Sequence, residues 1–145
     1  MLSEMVKISS AITPTAGAAG TTDIEGTTLD MQGFEGVLMM VRMGAITSGA
    51  VTSIKAQQDS ASTMATAADL EGTSQTIADD DGDQTFYIDL YRPTERYVRL
   101  HVDRGTQNAV VASAEYIQYG PRKAVTTHGS NVSGEAHAGP DEGTA

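Results

Sequence analysis

The stretch "TFYIDLYRPTERYVRLHVDR" (residues 85–104) settles the structural class of the chain. In its first part Phe86, Ile88 and Leu90 alternate with Tyr87, Asp89 and Tyr91, the period of a half-buried strand. Beyond "RPTE", where Pro93 occupies a turn position, the alternation resumes. Val98, Leu100 and Val102 point one way; Tyr97, Arg99, His101 and Asp103 point the other. The spacing predicts two strands joined as a hairpin or as a corner between sheets. Parity puts Arg99 with Tyr97 and His101 on a polar face, with Tyr87 and Asp89 on the polar face of the neighbouring strand.

Working outward, "NAVVASAEYIQYG" (108–120) reads as a third strand, ended by Gly120-Pro121. "GVLMMVRM" (36–43) is apolar on both faces and suits a central strand. "GAVTSIKAQQ" (49–58) reads as its partner, reached through the turn-rich "GAITSG". A further strand is expected near residues 5–12, and "SASTMATAADLEGT" (60–73) has room for one helical turn. Short strands, frequent turn signals and the lack of a helical period predict an all-β, single-domain β-sandwich or jelly roll of antiparallel strands. The division expected is an N-terminal strand and flexible arm at 1–28, the sandwich at 29–123 and a Gly-rich extended tail at 124–145. Residues 13–28 hold a single Ile and the last twenty hold Val132 as their one sizeable apolar residue, too little to offset chain entropy alone.

Composition narrows the function. The 145 residues carry a formal net charge of -10, so nucleic acid and anionic membranes should repel the chain. There is no Cys, which removes disulfides, thiolate metal sites and a Cys nucleophile. "MLSEMVKISS" has no apolar core of signal-peptide length, and the longest apolar run, 37–41, is far short of a membrane span. The expectation is a protein made and used without secretion.

The search for chemistry returns little. His128 and His137 lie in the Gly-rich tail, where nothing rigid holds them; His101 lies two residues from Asp103 on one strand face, without a nucleophile-elbow motif nearby. "ADDDGDQ" (78–84) superficially resembles a calcium loop, but aligning Gly82 to the sixth position puts Ile77 first and Ile88 twelfth. Loose cation binding by Asp79, Asp80, Asp81 and Asp83 stands beside the simpler reading of a solvated acidic turn. No phosphate-binding loop is present, and "NVS" (131–133) is an isolated glycosylation pattern. No catalytic residue, cofactor or metal ligand is assigned.

What remains is a concentration of positive charge. Arg92, Arg96, Arg99 and Arg104 are four of nine basic residues in the chain. Interleaved Asp89, Glu95 and Asp103 argue against a nucleic-acid patch and for ion pairs within the sheet or between subunits. Tyr and Arg are favoured at protein interfaces, so Tyr87, Tyr91, Arg92, Arg96, Tyr97, Arg99, His101 and Arg104 are the candidate contact residues. A salt-bridged face turned to solvent is the competing reading. The candidate arm contacts are Ile24, Val125 and Val132.

The order "DMQGFEGVLMMVRMGAITSGAVTSIKAQQD", "ADLEGT", "YIDLYRPTERYVRLHV" and "VVASAEYIQYGPR", over about residues 28–123, resembles capsid cement, or decoration, proteins of tailed bacteriophages. Gln32-Gly33-Phe34-Glu35 and "RYVR" (96–99) are its most specific parts. The resemblance implies a β-sandwich bound in many copies to the outer surface of the head, clamping neighbouring major capsid protein subunits. Self-contact as a homodimer is expected, with a trimer as the alternative, because isologous dimers are the commonest symmetric assembly. The resemblance also implies no cofactor and localisation on the virion exterior after synthesis in the host cytoplasm, and the arms are then expected to reach adjacent subunits. The acidic charge agrees, because the outer shell lies away from packaged DNA. Three other readings stand behind it: a carbohydrate-binding β-sandwich stacking sugars on Tyr87, Tyr91 and Tyr97, an inner-capsid or tail-completion protein, and, most remotely, an enzyme.

Overall fold

A computed structural model describes residues 1–123, 126–139 and 142. One helical turn, α1 (Leu2–Met5), precedes ten strands: β1 (Lys7–Ile12), β2 (Ile24–Glu25), β3 (Leu29–Asp30), β4 (Gly36–Ile46), β5 (Val51–Asp59), β6 (Ala68–Asp69), β7 (Gln75–Ile77), β8 (Thr85–Tyr91), β9 (Tyr97–Gly105) and β10 (Ala109–Tyr119). All pairings are antiparallel. One sheet runs β1-β10-β4-β8; the other runs β2-β9-β5-β6, with β3 also on β9 and β7 also on β5. The strand orders establish an antiparallel sandwich; they do not establish the jelly-roll winding.

Alternation fills the space between the sheets. Val37, Met39, Val41 and Met43 of β4 meet Val98, Leu100 and Val102 of β9 and Ile54 and Ala56 of β5, all 0% exposed. Each such large aliphatic side chain contributes about 1.5–3 kcal/mol by leaving water. Tyr116 of β10 spans the core: its hydroxyl accepts from Leu100 N at 2.8 Å and donates to Thr27 O at 2.9 Å. It thereby joins one sheet to the other and to the segment between β2 and β3.

The connection 92–96 is the corner, not a hairpin. β8 pairs with β4 and β9 with β5, so the two halves of the opening stretch lie in different sheets. Arg92 turns the chain with φ 51, uncommon outside glycine, and is held there by bonds to Glu35: N to O at 2.8 Å and Nε to Oε2 at 2.7 Å. Nor is β5 the partner of β4, as adjacency in sequence suggested: the chain crosses between the sheets after Ile46. Residues 60–67 form turns rather than a helical turn, organised by Asp59, whose carboxylate accepts from Ala61 N, Thr66 N and the Thr66 hydroxyl.

Residues 13–28, expected as a flexible arm, are instead laid across the domain. Val111 N donates to Gly17 O and Ala109 N to Gly20 O, and β2 adds to the edge of β9. A Cβ on Gly17 would stand 1.8 Å from Val111 O, so only glycine permits this approach. Ile24, expected as an arm contact, is 7% exposed and belongs to the core. The tail is also partly engaged. Thr126 N donates to Glu4 O, the Thr126 hydroxyl to Val6 O, Gly129 N to Ile8 O, and Ile8 N to His128 Nδ1. Residues 126–129 thus strap the free edge of β1, satisfying backbone groups that an open edge strand leaves unpaired. Val132 is half-buried, with its N–H bonded to Gly129 O; Val125 lies outside the described residues.

Candidate interaction surfaces

The corner separates the candidate contact residues into two faces. Tyr87, Asp89 and Tyr91 lie on the outer face of the four-stranded sheet, whereas Tyr97, Arg99, His101 and Asp103 lie on the outer face of the other. They cannot form one patch, because parity was read across β8 and β9 as neighbours and the core lies between them.

On the six-stranded sheet the outer face is an ion-pair lattice. Arg99 reaches Glu25 with both terminal nitrogens, at 2.8 and 2.9 Å, and Gln57 with Nε at 2.8 Å. Lys55 Nζ lies 3.0 Å from Asp69 and 3.4 Å from Asp103. The Asp69 carboxylate lies below its ordinary range, chiefly through its bond from Gln57 and then through Lys55, and the same Asp69 bond raises the Lys55 ammonium. His101, 9% exposed, points Nε2 at Asp103 Oδ1, 3.2 Å away.

The arginine cluster finds its partners at home. Arg96 holds Asp30 bidentately at 2.9 and 2.7 Å and Gln32 at 2.6 Å, and that first bond draws the Asp30 carboxyl below its usual value. Arg104 donates to the carbonyls of Thr22, Ala18 and Ala109 at 2.7, 2.7 and 2.8 Å, while its burial lowers the guanidinium. Three of the four arginines therefore grip residues 18–30, and the fourth, Arg92, holds Glu35. Arg92 and Arg96 also stack on Tyr91 and Tyr97, each 5.1 Å from the ring centre.

The four-stranded sheet presents a different outer face. Registered rows cross its strands: Ser10, Glu115, Met40, Tyr87; then Ile8, Ile117, Leu38, Asp89; then Tyr119, Gly36, Tyr91. The Tyr119 ring lies over Gly36, where an added Cβ would come within 2.3–2.7 Å of it. From there the Tyr119 hydroxyl reaches across β4 to donate to Asp89 at 2.7 Å. Burial, followed by Asp89, pushes the phenol up to about 12. Tyr87 and Tyr91 stand 62% and 59% exposed beside the half-buried Leu38, Met40 and Ile117. The result is an apolar strip with an aromatic edge and no layer packed on it among the described residues.

Sequence reasoning named the two tyrosines but missed Ile8, Leu38, Met40 and Ile117. The signal was the two-sided apolarity of "GVLMMVRM". That pattern suits a central strand, and β4 is one, flanked by β10 and β8; in a sandwich the second apolar side of such a strand faces outward. Asp23, Glu25 and Asp30, the partners of the cationic groups, carried no local signal, because each meets its partner across more than sixty residues of chain.

A cleft of about 580 Å³ at the corner is lined by Phe34, Glu35, Arg92, Pro93, Arg96 and Arg122, among others. Its charged lining is Glu35 and Glu95 against Arg92, Arg96 and Arg122, with Thr94 the one hydroxyl among them. In the acidic turn, Asp79 accepts from Gly49 N at 2.5 Å, and Asp81 from Ala78 N at 3.0 Å and Gln84 at 2.9 Å. Those carboxylates shape the turn and do not converge on one point among the described residues. No described helix is long and apolar enough to cross a membrane. No protein-family model, curated protein or solved structure matches the chain.

Proposed function

We propose that the chain is a structural, non-enzymatic protein of a tailed-phage head: a decoration protein that binds the outer capsid surface between major capsid protein subunits. The observation carrying this reading is the uncovered apolar strip of the four-stranded sheet, edged by Tyr87 and Tyr91. Exposed aromatic and aliphatic groups on a rigid sheet give contact area at small entropic cost, as protein interfaces favour. On the opposite face Arg99 and Lys55 are paired with carboxylates of the same chain, which suits exposure to solvent. Net charge disfavours the DNA-lined interior, and the resemblance over residues 28–123 supplies the particular setting. In this reading the sheet face, rather than residues 13–28, makes the principal contact. Many copies on one shell add weak single contacts by avidity.

The test is co-sedimentation of the purified chain with shells assembled from the major capsid protein of the same genome. Saturable binding is expected, weakened at least tenfold by Leu38→Asp and unchanged by Lys55→Gln on the opposite face. Absent binding, or equal binding by both variants, would overturn the reading. Surface labelling of intact particles separates an outer protein from an inner-capsid or tail-completion one. The carbohydrate alternative rests on the exposed Tyr87 and Tyr91, and glycan-array binding abolished by Tyr87→Ala would favour it.

A further inference from the structure

The outer face of the six-stranded sheet holds one group whose surroundings its own hydrogen bonds do not explain. His101 is 9% exposed, yet its Nδ1 is buried without a partner. Its Nε2 points at two carboxylate oxygens, Asp103 Oδ1 at 3.2 Å and Asp23 Oδ2 at 3.8 Å. We infer that Asp23, His101 and Asp103 form a binding site for a first-row divalent cation, with zinc the best fit, that clasps the segment before β2 to strand β9.

The geometry is that of an oriented ligand set. The three donor atoms lie within 4.8 Å of one another. An ion about 2.0–2.2 Å from each donor spans such separations with a small closure. Each carboxylate is held by its other oxygen: Asp23 Oδ1 accepts from Arg104 N at 2.9 Å, and Asp103 Oδ2 from the Ser53 hydroxyl at 2.9 Å. Outer hydrogen bonds of this kind turn the remaining oxygens toward the metal. Two carboxylates and a neutral imidazole balance a divalent charge. One nitrogen and two oxygens suit zinc or its first-row neighbours; calcium wants six to eight oxygens. Asp23 is exposed, so the outer side stays open to water ligands. Lys55, 3.4 Å from Asp103, competes for the same oxygen, but its closer partner is Asp69 at 3.0 Å.

The experiment titrates zinc chloride into the full chain, following heat and the nitrogen resonances of the His rings. One equivalent should bind, with His101 shifting first, ahead of His128 and His137. Asp23→Asn, a change at an exposed side chain, should weaken binding at least tenfold, while Asp79→Asn in the acidic turn leaves it unchanged. No saturable binding, shifts confined to His128 and His137, or Asp23→Asn binding as well as wild type would each overturn the inference. Because Asp23 lies outside the core, its variant keeps the fold, which its amide spectrum verifies.

Discussion

Replacing Arg104 with Met keeps the stem of the side chain and removes the guanidinium that fastens residues 18–23. Three bonds to carbonyl oxygens disappear, those to Thr22, Ala18 and Ala109. A hydrogen bond from a charged group contributes about 1.5–3 kcal/mol. Two of these acceptors belong to exposed residues that water can satisfy, and the guanidinium no longer has to be desolvated, so the net loss is about 2 kcal/mol rather than the sum. At 1.4 kcal/mol per factor of ten, that is roughly thirtyfold. The loss should fall locally, on the amides of Ala109 and Val111, which donate to Gly20 and Gly17. Native-state hydrogen exchange should show those two amides opening about thirtyfold more often, with the β4–β10 amides between Val37 and Gln118 unchanged. Exchange unchanged within twofold would refute the claim that Arg104 fastens this segment. A uniform increase through both sheets would show instead that Arg104 supports the whole fold.

Other consequences follow from named contacts. Tyr116→Phe leaves the buried Leu100 N–H without its acceptor, at a cost of about 2 kcal/mol and a Tm lowered by roughly 6 °C in thermal melts. On acidification, Asp30, Asp59 and Asp69 all sit below the ordinary aspartate value of 3.8, held down first by Arg96, the Ala61 N–H and Gln57 respectively. Their unfolded forms take up protons first, so their stabilisation is complete above that value and is lost as pH falls through the folded ones; Tm should be level from pH 7 to 5 and decline below 4. At the alkaline end Tyr119 is raised to about 12, so the stability it contributes is complete below 10 and lost as pH rises through 12. Ultraviolet titration should show this phenol ionising late, and Gly36→Ala, which displaces its ring, should return it toward 10.

How much was legible depended on the range of the interaction. Alternation in "TFYIDLY" and "RYVRLHV" depends only on the two-residue period, so both strands and their buried sides were readable. Whether they pair was not, since a turn such as "RPTE" serves a hairpin or a corner, and the choice rests on Glu35, in the bend before β4, capturing Arg92. Residues 13–28 looked free because their composition buries little on its own; Gly17, Gly20 and Arg104 hold them through backbone groups, which leave no hydrophobic signature. The arginine cluster was visible, and its pairing within the sheet was one of two readings; partners as distant as Glu25 decide the matter. The apolar strip was half visible, through Tyr87 and Tyr91.

The pairing of β1 with β10 has a consequence for synthesis. Ile8 and Ile117, partners in that ladder, are more than a hundred residues apart. At about 5–20 residues per second, the first strand waits roughly 5–20 s on the ribosome before its neighbour exists. Throughout that interval β1 lacks its one ladder partner, and Ala11 and Ile12 lack the part of the core that β10 supplies. The four-stranded sheet is therefore incomplete until β10 takes its place between β1 and β4, and residues 126–129, which strap β1, lie later still in the chain.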